Sequence, residues 1–176
     1  MPAATLSTGI PAVEPGAPRS ALKRALLGVV ATKPGTAFHR TVAARVDGPL
    51  MKATRGRVNL DFGAAPVVVL VSTGARSGLP REAPLLYFTQ GEDVVLMASS
   101  YGRAAHPAWY RNLVAHPACE LRVGAHGGRY VAREVHGEER DRLYALAERH
   151  YAGYGNYALT TKGVRTIPVL RLSPAA

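Results

Sequence analysis

Cysteine is almost missing from this 176-residue chain: Cys119 stands alone, which excludes an intrachain disulfide framework and any site built from several cysteine ligands to zinc or iron. Long apolar runs are missing too. The longest, residues 64–71, falls far short of the roughly 20 residues that a membrane-spanning helix needs. Aromatic residues make up only 7% of the chain, with a single tryptophan, so Trp109 is a feature to be placed rather than background. Acidic residues are scarce, 12 against 22 Lys and Arg, which leaves a net charge of +10. That balance points to an acidic partner: a phosphate-bearing ligand, nucleic acid or a lipid surface.

The length fits one compact domain, large enough to bury a core without metal or disulfide staples. The positive charge is unevenly placed. Between Arg19 and Arg57 nine basic residues face one acidic residue, Asp47. Residues 1–18 carry four prolines, no lysine or arginine and little large apolar surface, and so read as a flexible tail without a secretory signal. Cytoplasmic residence follows as the expectation. Ser20 can cap a helix over 21–31, and a second short helix fits 36–46 before Asp47, Gly48 and Pro49. Such basic amphipathic helices either pack on the main domain with their charges outward or attach peripherally to a membrane.

From Pro66 the pattern changes period. The branched run to Val71 reads as a buried strand. Leu85–Phe88 and Val94–Ala98 flank an acidic, glycine-bearing turn and read as a hairpin. Pro107 suits a helix start, with Trp109 and Leu113 on one face and His116-Pro117 at its close. Alternation of Cys119, Leu121 and Val123 with Glu120 and Arg122 predicts a half-buried strand, followed by another over 129–135. Gly137, Glu138 and Glu139 open a helix with Leu143, Leu146, Ala147 and His150 inward. A last strand fits 166–172, where Pro168 argues for an edge or bulge. Several strands broken by few helices favour a closed or partly closed barrel with peripheral helices, mainly β with α, over a regular alternating fold.

Three segments carry chemistry. Ser72-Thr73-Gly74-Ala75-Arg76-Ser77-Gly78-Leu79-Pro80-Arg81 combines glycines, hydroxyls and two arginines that can clamp phosphate or carboxylate. It lacks both the lysine pattern of a nucleotide-triphosphate loop and the dinucleotide glycine fingerprint, and is either an anion-binding loop or a basic structural hairpin. Ala98-Ser99-Ser100-Tyr101-Gly102-Arg103 leads into His106-Pro107-Ala108-Trp109 and can offer backbone donors and an aromatic wall to a planar ligand. Tyr151, Tyr154 and Tyr157 recur three apart, on a turn or tight helix; they either line a pocket or pack the domain. Cys119 reads as a core thiol. No metal site is expected, and the basic run has no motif for reading nucleic acid.

As an ordered set, these loops together with Pro84-Leu85-Leu86-Tyr87, the block from His106 to Leu113 and Arg165-Thr166-Ile167-Pro168-Val169 resemble the deazaflavin-dependent nitroreductase family of the flavin and deazaflavin split-barrel group. The resemblance implies an FMN-binding-like split β-barrel over 61–173, with 19–60 as basic helices packed on it. It implies coenzyme F-420, an 8-hydroxy-5-deazaflavin with a phosphate and oligoglutamate tail, and FMN as the alternative. It places Thr73, Gly74, Arg76, Ser77, Gly78 and Arg81 on the tail, and Met97, Ala98, Ser99, Ser100, Gly102 and Trp109 around the ring. Tyr151, Tyr154 and Tyr157 become catalytic-site residues on the substrate wall, with Tyr157 the preferred polar contact. The implied activity is hydride transfer from the reduced cofactor to a quinone, activated alkene or nitroaromatic, by a monomer or homodimer; a non-catalytic carrier of the cofactor is the alternative. Two departures stand out. Ala75 precedes Arg76 where relatives often have adjacent basic residues, which leaves Lys52, Arg55 or Arg57 to supply a contact. Tyr101 stands where adjacent glycines are frequent.

Overall fold

A computed structural model of the protein describes residues 7–16 and 66–175. Seven strands are present among them: β1 (Ser7–Thr8), β2 (Val67–Thr73), β3 (Pro80–Gln90), β4 (Asp93–Met97), β5 (Ala118–Val123), β6 (His126–Val135) and β7 (Val169–Pro174). Strands β2 to β7 close on themselves in the order β2-β3-β4-β7-β6-β5, every neighbouring pair antiparallel. Among the described residues three helices cover the barrel: α1 (Ala108–Ala115), α2 (Gly137–His150) and α3 (Gly153–Thr161).

Strand β4 shows why the chain folds this way. Successive side chains of a strand point to opposite faces, and all four residues from Val94 to Met97 are buried, so both faces of the strand are covered. Val94 and Leu96 join Val68, Leu70, Leu121, Leu170 and Leu172 in the barrel interior. Val95 and Met97 join Phe88, Leu143, Ala147 and Ile167 beneath α2 and α3. Fully burying each such side chain contributes about 1.5–3 kcal/mol, and β2, on the far side of β3, likewise buries Val68, Val69 and Leu70 in succession.

The structure sharpens several sequence expectations. The β3–β4 hairpin turns on Gly91 and Glu92 alone, with Gln90 opposite Asp93. The last strand begins at Val169, not at 166. Pro168 lies just before it, and its carbonyl accepts the Ala98 N–H at 2.9 Å. Neither an edge nor a bulge is needed there, because β7 is paired on both sides, with β4 and β6. Cys119 is buried as expected, and burial pushes its thiol up to about 12.

A larger correction concerns the supposed tail. Residues 7–16 lie along the barrel. Ser7 and Thr8 pair in parallel with His126 and Gly127. The Val13 N–H donates to Thr89 Oγ1 at 2.8 Å, and the Thr89 N–H returns a bond to the Val13 carbonyl at 2.8 Å. The Tyr87 hydroxyl donates to the Pro11 carbonyl at 3.1 Å. Ile10 and Val13 pack on the cores. Backbone pairing, which composition does not register, holds this segment. The helices expected over 21–31 and 36–46, and Lys52, Arg55 and Arg57, lie outside the described residues.

Candidate cofactor site

The β2–β3 connection is a compact loop whose polar groups are spent on shaping it. The Gly74 N–H donates to the Leu79 carbonyl at 2.9 Å and the Gly78 N–H to the Gly74 carbonyl at 2.8 Å. Any Cβ on Gly74 would fall 2.5 Å from Ser77 Oγ, so only glycine fits. Ser77 Oγ accepts from the Leu79 N–H and from Arg81 Nη2, each at 3.4 Å. Arg76, in contrast, extends from the loop exposed.

A buried asparagine joins this loop to α1. Asn112 Oδ1 accepts the Ala75 N–H at 3.0 Å, and its Nδ2 donates to Ser72 Oγ at 3.2 Å. Ser72 in turn donates to the Arg81 carbonyl at 3.4 Å. Asn112 and Ser72 are 8% and 3% exposed, and buried polar groups are tolerated only when bonded in this way. The helix carrying Trp109 and the loop carrying Arg76 are therefore adjacent by construction.

The second segment follows β4. Met97 and Ala98 are buried, Ser99 and Ser100 half-buried. Ser100–Gly102 forms one 3-10 turn in which the Gly102 N–H bonds the Ser99 carbonyl at 3.0 Å and the Arg103 N–H the Ser100 carbonyl at 3.1 Å. Gly102 sits against Thr160 of α3, where a Cβ would meet that side chain at 3.3 Å.

Arg165 holds the segment from outside. Its Nε donates to the Arg103 carbonyl at 2.8 Å, Nη2 to the Ser99 carbonyl at 2.7 Å and Nη1 to the Ala98 carbonyl at 3.2 Å. Nη1 also lies 3.3 Å from His106 Nδ1. The fixed fork of a guanidinium suits three diverging acceptors as an ammonium does not. Burial, then the Arg165 charge, holds the His106 pKa below its ordinary 6.5, so the neutral ring that can accept from Arg165 is favoured. The His106 ring lies tilted at 40° against Tyr110, centroids 4.9 Å apart, and the Tyr110 hydroxyl donates to Glu134 Oε2 at 2.8 Å.

The aromatic residues lie deeper than the sequence implied. Trp109 is 9% exposed and packs in one cluster with Ala98 and Leu113, so little of the indole reaches the surface. Tyr151, Tyr154 and Tyr157 are buried in the cluster beneath α2 and α3, 5.5–6.3 Å apart between ring centroids. Burial drives the Tyr154 pKa well above 10, so that phenol stays protonated. The Tyr144 hydroxyl donates to the Tyr154 carbonyl at 2.9 Å and fixes the start of α3. Tyr101 links the two groups, its ring edge-on to Tyr157 at 6.3 Å.

Sequence reasoning thus placed the loops but missed their fasteners, Asn112 and Arg165. Both stood inside motif blocks that marked the family resemblance, and a polar residue beside Leu113 or before Ile167 gave the only signal.

A closed barrel with a cationic hairpin loop tied to a short helix by Asn112, and a polar strand-end segment held by Arg165, defines a class: small split-barrel proteins that hold a flat, acidic redox cofactor. Within that class, the chain belongs to the F420H(2)-dependent quinone reductase family, whose pattern it matches over residues 43–174. It is 33% identical over 133 residues to an F420H(2)-dependent quinone reductase of Mycobacterium tuberculosis (strain ATCC 25618 / H37Rv), covering 73% of this chain and 88% of the relative. Among solved structures, an F420-H2 dependent reductase is similar at 35% identity and a TM-score of 0.57, over 61% of this chain and 94% of that one. A chain described as a domain-swapped dimer is similar at 33% identity and a TM-score of 0.58, over 73% and 94%.

Proposed function

We propose that this chain binds reduced coenzyme F-420 across the two loops and reduces a quinone, consistent with its membership of a quinone reductase family. One observation carries the reading. Among the described residues Arg76, Arg103 and Arg111 make no ion pair, while Asn112 and Arg165 fasten the segments that bear or adjoin them. Unneutralised guanidinium groups on a rigid frame fit a phosphate and carboxylate tail, and the buried Met97-Ala98 step fits a flat ring.

In this reading Thr73, Gly74, Arg76, Ser77, Gly78 and Arg81 hold the tail. Met97, Ala98, Ser99, Ser100, Gly102 and Trp109 flank the ring. When bound, the reduced cofactor supplies a hydride for an electron-poor acceptor; the protein supplies orientation and charge. Tyr151, Tyr154 and Tyr157 serve as a wall behind the acceptor, with Tyr157 nearest to the loop through its contact with Tyr101. The buried, protonated Tyr154 phenol suits a structural post better than a base.

The test is a titration of the purified chain with reduced F-420, then addition of a quinone, followed by the return of the oxidised cofactor's absorbance. Saturable binding and quinone-dependent oxidation are expected. Binding without oxidation across quinones, activated alkenes and nitroaromatics would identify a carrier, and a chain that purifies with FMN and ignores F-420 would overturn the cofactor. No helix among the described residues is long and apolar enough to cross a membrane. Cytoplasmic residence, with peripheral attachment through the basic residues 19–57, is part of the proposal. Sedimentation with anionic vesicles should be reduced by deleting residues 1–35. The dimer described for one solved relative supports a homodimer here, which sedimentation velocity checks.

A further inference from the structure

Three consecutive residues of the segment after β4 adopt left-handed backbone: Ser100 at φ 51°, Tyr101 at φ 54° and Gly102 at φ 72°. Only the third is glycine. For a residue with a Cβ this region crowds the side chain against the backbone, and such strain persists only where the surroundings over-determine it, most often at ligand sites.

Here the surroundings are identifiable. The turn is bonded through the Gly102 and Arg103 N–H groups. Arg165 grips the Ser99 and Arg103 carbonyls on either side of it, and Gly102 sits against Thr160, which a Cβ at that position would meet at 3.3 Å. The result is that the Tyr101 ring is aimed. It meets the Tyr157 ring edge-on, at 77° and 6.3 Å between centroids. Tyr157 is 6% exposed whereas Tyr101 is 37% exposed. A large, semi-rigid aromatic therefore stands on the solvent side of the tyrosine wall, next to the Ser99-Ser100 step assigned to the cofactor ring.

We propose that Tyr101 is a specificity-determining residue, whose ring, held over Tyr157 by a strained turn, limits the breadth of planar acceptor that the site admits. This deepens the quinone reductase reading and rests on it. A change of steric bulk in a pocket of this kind discriminates acceptors by about tenfold or more.

The test compares wild type with Tyr101→Gly and Tyr101→Phe. Catalytic efficiency is measured with phenanthrenequinone and with benzoquinone, and the affinity for xanthone, a planar three-ring ligand that is not reduced, by equilibrium dialysis. Removing the ring should shift the efficiency ratio toward phenanthrenequinone, and tighten xanthone binding, by about tenfold or more, with reduced F-420 affinity unchanged. Tyr101→Phe should match wild type in all three. Glycine tolerates the left-handed backbone, so folding should be preserved. Should that variant misfold, Tyr101→Asn, the next most tolerant side chain, carries the same expectation. The proposal fails if ratio and xanthone affinity stay at wild-type values, if the Phe variant shifts as far as Gly, or if the Gly variant loses F-420 affinity, which would move Tyr101 into the cofactor cradle. Wild-type protein that oxidises no reduced F-420 with any quinone would sink the reductase reading, and the xanthone series would still decide the role of Tyr101.

Discussion

Arginine is used in two different ways at two regions of this barrel. On the flank formed by β4, β6, β7 and α2, Arg171 donates to Asp93 Oδ2 at 2.5 Å and to Glu139 Oε1 at 3.0 Å, and Arg133 binds both Glu139 oxygens at 3.0 and 2.8 Å. Nearby strands repeat the pattern, with Arg122 bidentate to Glu120 at 2.7 and 2.8 Å. Each of these cations is cancelled by a carboxylate. At the loop region Arg165 instead donates to three backbone carbonyls, which fixes geometry and leaves the charge in place. Arg76, Arg103 and Arg111 have no carboxylate at all among the described residues. The net charge of +10 would say little by itself; where it goes unneutralised beside an ordered frame is what points to an acidic ligand. Exposed Arg129 on β6 and Arg142 and Arg149 on α2 stand outside the two fastened loop segments.

Arg165→Met attacks the comparison at its strongest point. The variant strips charge-assisted bonds that are each worth about 1.5–3 kcal/mol, less where water competes. F-420 affinity should drop about 100-fold in an absorbance titration, and Arg165→Lys should recover little, since an ammonium cannot reach three diverging carbonyls. A fall in melting temperature with unchanged affinity would make Arg165 a fold staple and remove the loop half of the contrast.

Arg76→Ala is the next largest, about 10-fold in affinity for one well-formed charged contact. The loss should shrink as salt rises, because an exposed charge is screened. Arg133→Ala on the paired flank is the matched control: melting temperature should fall slightly, as for exposed ion pairs, with F-420 affinity unchanged. Equal effects of the two substitutions on affinity would mean that overall charge alone, and no particular loop, attracts the cofactor.

The barrel was legible from Pro66 onward because its strands alternate or run apolar and its turns are marked by glycine, as at Gly91 and Gly124. What escaped was cooperative rather than local. Residues 7–16 have a tail's composition, and are held by groups distant in sequence: β6 pairs with Ser7 and Thr8, Tyr87 donates to Pro11, and Thr89 exchanges bonds with Val13. Asn112 and Arg165 are ordinary polar residues until the fold brings Ala75 and Ser99 to them. The tyrosine triplet gave its spacing correctly, yet spacing could not say that α3 turns it into the core, where all three are buried. The left-handed turn at Ser100 and Tyr101 had no signal, since neither residue type demands it.

The smallest expected effect separates the two regions by acidity. On the paired flank, hydrogen bonds from Arg133 and then Arg171 pull Glu139 from 4.5 down to about 2. A carboxylate with a depressed folded-state pKa adds stability that is complete above 4.5 and is lost as pH falls toward about 2. His106 is depressed in the other chemical sense: burial first, then Arg165 and Arg111, favour its neutral ring, while Glu134 opposes them. Its contribution is complete above 6.5 and fades as pH falls through the lowered value. Above about pH 4.5, where Glu139 keeps its full contribution, any loosening should come from the loop region. As pH falls below 6.5 and His106 takes up a proton, F-420 binding should weaken about threefold, the part of one charge-assisted hydrogen bond left where water competes. The cofactor itself titrates, so the quantity to read is the difference from His106→Gln, which keeps a side-chain acceptor without ionising near neutrality. Parallel pH curves for the two proteins would show that the Arg165–His106 contact does not steady the cofactor loop, and would leave the carbonyl bonds as its sole support.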